Sequence, residues 1–271
     1  MERKRGYCLV SQQIRDLIRN GNLIVPEHNL EINSEDNANG RKGWFKDKNL
    51  ESRVQPGSFD PSVGDEVFII DTERYGLIRG KRNESIYRTL LQLPMRHRPR
   101  RDITGGYELK VGFTYVVPLQ EKIRMNGIDS IRSSPKSSTG RLFPKTRMLA
   151  DYNPSFDEIH FSNGNPLDAW LVIQPLVFNF ILYPGINLNQ LRFSVGDAKL
   201  TTREIIAENE KQNLLYEKTS EGQSPLEIQP WMVSDGLQLT LDLQGNATHN
   251  VVGLRARRNP QPIDLRKVGE Y

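Results

Sequence analysis

From Val54 onward the chain runs in short stretches of β-branched and aromatic residues punctuated by Gly, Pro and Asn. That punctuation is the signature of a sandwich or closed barrel of short strands. The spacing predicts strands over 66–70, 113–119, 170–174, 177–183, 189–195 and 237–243. In the last, Leu237, Leu239, Leu241 and Leu243 alternate with Gln238, Thr240 and Asp242, which gives one apolar and one wet face. Two helices interrupt the pattern. Ser11 caps a short one through Asn20, because Ile14, Leu17 and Ile18 share a face and Gly21 suits a left-handed stop. Thr201 with Glu204 forms a capping box that starts a peripheral second helix over 202–212. Residues 27–50 are polar and read as a loop in which Trp44 and Phe45 act as anchors.

No long Pro- or Ser-rich tract divides the 271 residues. The expected organisation is an N-terminal helix and polar loop over 1–50, packed on one β domain over 51–271. A chain of this length buries a core without disulfides, and the single cysteine, Cys8, cannot pair within it. A reducing, cytoplasmic setting fits, and residues 1–10 lack the apolar run of a secretory signal. No stretch approaches the ~18 apolar residues of a membrane span. The 37 Lys+Arg against 33 Asp+Glu leave a net +4, too small an excess for a dedicated nucleic-acid binder. Part of it is clustered: Arg96, Arg98, Arg100 and Arg101 crowd one segment, and Arg255, Arg257 and Arg258 another. Each cluster reads either as a solvated loop or as an attractor for a polyanion such as a triphosphate.

The segment with the most chemistry is Pro135-Lys136-Ser137-Ser138-Thr139-Gly140-Arg141. A lysine, three hydroxyls and an arginine within seven residues suit phosphate oxygens and a bound water. The same hydroxyls can also fold back on their own turn, and composition does not decide between the two. The segment is not a Walker loop, and the chain holds no GxGxxG.

Residues 135–142, PKSSTGRL, resemble the block of the same sequence in the two-domain dCTP deaminases and, more loosely, the RSS motif of all dCTP deaminases and dUTPases. Other blocks follow in that family's order: Val54-Gln55-Pro56-Gly57-Ser58-Phe59-Asp60 resembles its QPASLDLRLG opening, 115–121 its YIVPLxE strand, and Leu188-Asn189-Gln190-Leu191-Arg192-Phe193 its LSQIRF strand. Gly253-Leu254-Arg255-Ala256-Arg257-Arg258 with Ile263-Asp264 resembles its GYRAKR…ID close. The resemblance covers nearly the whole chain, least well at 27–50 and about 200–235, and reads it as the N-terminal half of a long enzyme, with a second domain expected after residue 271.

The resemblance implies a mainly β, dUTPase-like distorted barrel or jelly roll, assembled as a homotrimer with active sites between subunits. It implies deamination of a pyrimidine deoxynucleoside triphosphate, dCTP to dUTP, without zinc and with Mg2+ bound only through the triphosphate. A single cysteine agrees, since zinc deaminases need an HxE…PCxxC ligand set. Carried over by position, Ser137 holds the attacking water and Arg141 steadies the site, while Lys136, Ser138 and Gln190 bind phosphates. Asp157, in Phe156-Asp157-Glu158-Ile159, matches the aspartate that activates water in dUTPases. The family's catalytic glutamate, in a strand resembling LYLEI, is replaced: Val172 occupies its place in Ala169-Trp170-Leu171-Val172-Ile173-Gln174-Pro175. Asp168 is the nearest carboxylate of the same strand parity, and only a bulge could bring it closer. The loop 160–166 also departs from the family, and His160 reads as an exposed loop residue. Two alternatives therefore stand beside deamination: a catalytically degenerate fold that binds nucleotide or serves assembly, and a pyrophosphatase using Asp157.

Overall fold

The computed structural model describes residues 6–26, 32–33, 44–45, 47–160, 164–219, 222–234, 236–239, 241, 243–245, 251–253, 255 and 261–267. The chain forms two compact units: Met1–Asp197 with Asn259–Tyr271, and Ala198–Arg258. The first unit takes in the N-terminal helix and most of the β domain expected over 51–271, and the second unit lies within that expected span. No Pro- or Ser-rich tract marks the edges of the second unit, so composition gave no sign of it.

In the first unit β1 (Tyr7–Cys8), α1 (Ser11–Arg19), β2 (Leu23–Ile24), β3 (Ile32–Asn33), β4 (Trp44–Phe45) and α2 (Lys48–Arg53) precede β5 (Glu66–Ile70). The short helices α3 (Thr72–Tyr75) and α4 (Ile86–Leu91) follow, then β6 (Arg100–Asp102), β7 (Tyr107–Leu109), β8 (Thr114–Ile123) and β9 (Ser130–Pro135). A one-turn helix, α5 (Ser137–Arg141), leads to β10 (Pro144–Ala150), β11 (Glu158–Ile159), β12 (Leu167–Pro175), β13 (Phe180–Leu182) and β14 (Asn189–Val195).

The largest sheet runs β10-β12-β8-β5-β6, with β2 added along β8; a second runs β1-β14-β9-β11; and a third joins β13 to β7 and to residues Ile263–Asp264. Their inward faces share one core. Val67, Tyr115, Val117, Leu171 and Ile173 come from the first sheet, Ile131, Ile159, Leu191 and Phe193 from the second, and Leu109, Phe180 and Leu182 from the third. Apolar faces from sheets packed in this way define a rolled β sandwich.

Helix α1 packs on the same core through Ile14, Leu17 and Ile18, the face that its spacing predicts. Its first helical residue is Ser11, however, so Ser11 is not the cap. The cap is Val10, whose backbone N–H donates to Gln13 Oε1 at 3.0 Å. Gly21, at φ +67°, supplies the left-handed stop. Most of 27–50 lies outside the described residues, and the side chains of Trp44 and Phe45 with it.

The outer face of the large sheet is also apolar. Phe68, Ile70, Val116, Leu149, Trp170 and Val172 form a second cluster with Ile86 and Leu90 of α4. The N-terminus of α4 is held by Asp151, which is 7% exposed and accepts the Ile86 N–H at 2.8 Å. Desolvation outweighs that bond and pushes the Asp151 carboxyl up to about 6. Because the folded value lies above the unfolded one, the folded state binds the extra proton between pH ~4 and ~6, so stability falls as pH rises through that window and stays lower above it. Asp151→Asn keeps the acceptor and removes the charge. It is expected to raise stability by about 2 kcal/mol at pH 8 and to leave it nearly unchanged at about pH 3, below both values, read from urea unfolding at the two pH values.

The second unit holds α6 (Thr202–Gln212) and a hairpin of β15 (Tyr216–Thr219) with β16 (Gly222–Pro225) around Ile205, Ile228 and Val233. Helix α6 starts with the expected box: Glu204 Oε2 accepts from the Thr201 N–H at 2.8 Å, and the Glu204 N–H reaches Thr201 Oγ1 at 3.4 Å. The strand expected over 237–243 is not formed by the described residues there. Leu237 makes only an isolated bridge to Val233, and Leu239, Leu241 and Leu243 are 79%, 86% and 75% exposed. Alternation makes a strand only where a neighbouring edge takes its hydrogen bonds and an apolar layer takes its side chains, and nothing described in this small unit offers either.

Candidate active site

The segment 135–141 is a strand end followed by a helix, not a loop. β9 carries Ser130–Pro135, antiparallel to β14 with Ser134 opposite Gln190. The chain then turns into α5 at Lys136. Two bonds to one carbonyl fix this turn: the Lys136 N–H and Thr139 Oγ1 both donate to Leu188 O, at 2.9 and 2.7 Å. Thr139 is buried, while Ser137, Ser138 and Arg141 are exposed. Ser137 and Arg141 are four residues apart on the helix and so share a face. Among the described residues nothing bonds to either serine hydroxyl or to the Arg141 guanidinium. Thr139 thus bonds across to the segment before β14 rather than back to its own turn, and among the described residues none of the three hydroxyls is satisfied within the turn.

Lys136 lies beside them, and its ammonium is 2.5 Å from the carboxylate of Asp60. Asp60 is 2% exposed and sits in a buried polar group. Its carbonyl accepts from Arg53 Nε at 2.9 Å, and Arg53 pairs with Glu121, which also accepts from Ser62. One donor of Lys136 is thus committed, and an ammonium has three. Gln190 completes the cluster by accepting from Ser58 Oγ at 3.3 Å and donating to Ser134 Oγ at 3.1 Å. Beneath it, fully buried Asn189 accepts from Thr146 and donates to Ser133, at 2.6 and 2.8 Å, tying β10, β14 and β9 together.

The geometry therefore gathers Lys136, Ser137, Ser138, Arg141 and Gln190 at one end of the β9–β14 pair. Asp157 stands apart. Its backbone O accepts from the Ser133 N–H at 2.8 Å, and its carboxylate is held by Arg147 and by the Met148 N–H at 2.7 Å. No described contact joins it to α5, and its φ of +61° is a conformation that aspartate tolerates at a turn. Val172, 3% exposed, lies in the apolar cluster under α4, with Arg147 opposite it in the β10–β12 ladder. A bulge does separate Asp168 from Trp170, but Asp168 is paired with Lys122 at 3.0 Å. His160 is bonded to Glu158 at 3.1 Å, and that bond, ahead of Arg132, holds the Glu158 carboxyl below its usual range.

Sequence reading missed Asp60 as the partner of Lys136 and Asn189 as the buried tie. Both lie in blocks already singled out, Asp60 closing 54–60 and Asn189 preceding Gln190. No described group of three or more His, Cys, Asp or Glu side chains is placed to hold a metal. The donors at α5 are hydroxyls and cations, a set suited to phosphate oxygens rather than to a cation. Among the described residues no helix is long and apolar enough to cross a membrane.

Comparison with known proteins agrees with this architecture. Residues 10–197 match the model of the 2'-deoxycytidine 5'-triphosphate deaminase N-terminal domain, and residues 204–271 match that of the C-terminal domain of the same enzymes. The second domain, expected after residue 271, is thus matched within the chain, and its model begins close to the boundary between the two units. No curated protein matches. Among solved structures, the 2'-deoxycytidine 5'-triphosphate deaminase from Agrobacterium tumefaciens superposes with a TM-score of 0.73 at 25% identity, over 99% of this chain and 66% of that one. This chain therefore spans a little under two thirds of that relative's length. On the two domain matches and the shared mainly β fold, the chain belongs to the 2'-deoxycytidine 5'-triphosphate deaminase family.

Proposed function

We propose that the chain binds dCTP at α5 and deaminates it without zinc, at a site between the subunits of a homotrimer. The observation that carries this reading is the pair Ser137 and Arg141: exposed and without a side-chain bond among the described residues, on one face of a turn that is itself anchored by the two bonds to Leu188 O. In the reaction water adds to C4 of cytosine, its protons pass to the ring and the amine, and ammonia leaves to give dUTP. Ser137 holds the water. Arg141 steadies the charge that develops as the tetrahedral carbon forms, a type of contribution worth about 10²–10³ in rate. Lys136, Ser138 and Gln190 hold the triphosphate, and Mg2+ carried by the nucleotide would offset part of its charge.

A second reading, nucleotide binding without turnover, is favoured by Val172. General-base catalysis supplies about 10²–10⁴ in rate, and valine supplies none of it, while Asp157 is already held by Arg147 and Met148. Incubation with dCTP and magnesium, followed by assay of ammonia and pyrophosphate, separates the two readings. Deamination predicts ammonia and dUTP in equal amounts, no pyrophosphate, and no loss of rate with a zinc chelator. Calorimetric dCTP binding without any product supports the second reading. Absence of both binding and product contradicts both.

A further inference from the structure

The outward face of the β9–β14 pair carries charge that the reaction at α5 leaves unused. Register places Gln190 opposite Ser134, Arg192 opposite Arg132 and Ser194 opposite Ser130. The residues between them, Leu191, Phe193 and Ile131, belong to the core, so strand alternation puts these three polar rows on the other side of the sheet. The first row is already part of the site, where Gln190 donates to Ser134 Oγ at 3.1 Å. The arginine row is the next one along the same face, two residues or ~6.5 Å further from α5.

Like charges directly opposite each other on one face of an antiparallel pair destabilise a sheet. The neighbouring strand relieves only half of this pair. In the order β14-β9-β11, Glu158 lies opposite Arg132 on the side away from Arg192, and its carboxylate is 3.1 Å from Arg132 Nε. Glu158 is shared with His160. Arg192 is exposed, and among the described residues no side chain or carbonyl takes its guanidinium. Past the uncharged row of Ser130 and Ser194 comes Asp129, whose carboxylate accepts the Gly196 N–H at 2.6 Å. The cationic strip thus begins at Lys136 and ends at Arg132 and Arg192. An anion set between the two arginines offsets their repulsion, and a guanidinium fork matches the oxygens of a phosphate. A nucleotide whose nearer phosphates meet Lys136, Ser138 and Gln190 reaches the arginine row only if further phosphate follows. A triphosphate covers that step, and a shorter phosphate chain does not.

We infer that Arg192, assisted by Arg132, binds the terminal phosphate of the nucleotide and so makes the site selective for a triphosphate over a diphosphate. The inference rests on the nucleotide site proposed at α5 and adds to it the residue that reads the length of the phosphate chain.

The test measures dCTP and dCDP binding by calorimetry, with magnesium, to the full chain and its variants. The wild type is expected to bind dCTP more tightly than dCDP by about 10-fold to 100-fold, the range for a hydrogen bond to a charged group. Arg192→Gln should weaken dCTP by that factor, leave dCDP unchanged and so abolish the preference. Its melting temperature should not fall, because the side chain is exposed and its loss ends the like-charge contact with Arg132. Arg192→Lys, which keeps the charge without the fork, should fall between the two. Equal wild-type affinity for dCTP and dCDP, wild-type dCTP binding in Arg192→Gln, or equal weakening of both nucleotides in that variant would overturn the inference while leaving the site at α5 standing. Failure of the wild type to bind either nucleotide would overturn both.

Discussion

Arg141→Ala is expected to lower any deamination by about 10²-fold or more while leaving dCTP binding nearly unchanged, because its guanidinium is assigned to charge that develops only in the transition state. The guanidinium is exposed and bonds to nothing described, so its removal leaves no buried group unsatisfied and should not change the melting temperature. Ser137→Ala should lower turnover comparably but affect binding little, since its hydroxyl is assigned to the water rather than to the phosphates. Calorimetry with dCTP and an ammonia assay on each variant read the two effects separately. A wild-type rate in both variants would refute the assignment of α5.

The largest stability effect is expected at Arg53. Its partner Glu121 is 1% exposed and accepts from the Ser62 N–H at 2.9 Å and from Ser62 Oγ at 2.7 Å. Arg53 itself is buried, lies 4.7 Å above the Phe59 ring and donates to Asp60 O. Arg53→Met strands a buried carboxylate, a change that costs about 3–5 kcal/mol. Domain stabilities are typically only about 5–15 kcal/mol, so urea unfolding should show a midpoint far below wild type. Adding Glu121→Gln removes the stranded charge and should recover part of the loss. The same variant touches the site, because Asp60, which Arg53 holds through its carbonyl, is the anchor of Lys136. Weakened dCTP binding in the folded Arg53→Met protein would follow from that link, and a midpoint equal to wild type would refute the role of the pair.

How much could be read from the residues depended on where each element hides its polar groups. The strands over 66–70 and 189–195 and the helix over 202–212 were legible because alternation or a capping box is written locally. β9 and β10 were not. β9 runs Ser-Ile-Arg-Ser-Ser-Pro, and its inward Ser133 meets Asn189, which is bonded to Thr146 of β10. A polar tie fills the place of apolar side chains, so the period-2 signal that marks a strand is missing. Leucines at 237–243 give that signal without the strand, since alternation describes a face and not the partner that must cover it.

At the site, the segment 136–141 was ambiguous by composition and gained a role only through its resemblance to a family. Even then the Lys136–Asp60 contact, across 76 positions, had no local trace. Val172 was legible as a departure from the family pattern. That it lies among Phe68, Ile86, Leu90 and Trp170 on the outer sheet face required the fold.

The most direct measurement is a crystal structure of the chain with dCTP and magnesium. The triphosphate is predicted to lie against Lys136, Ser138 and Gln190, with C4 of the base turned toward Ser137 and Arg141. Nucleotide density elsewhere, with α5 still facing open solvent, would contradict the account.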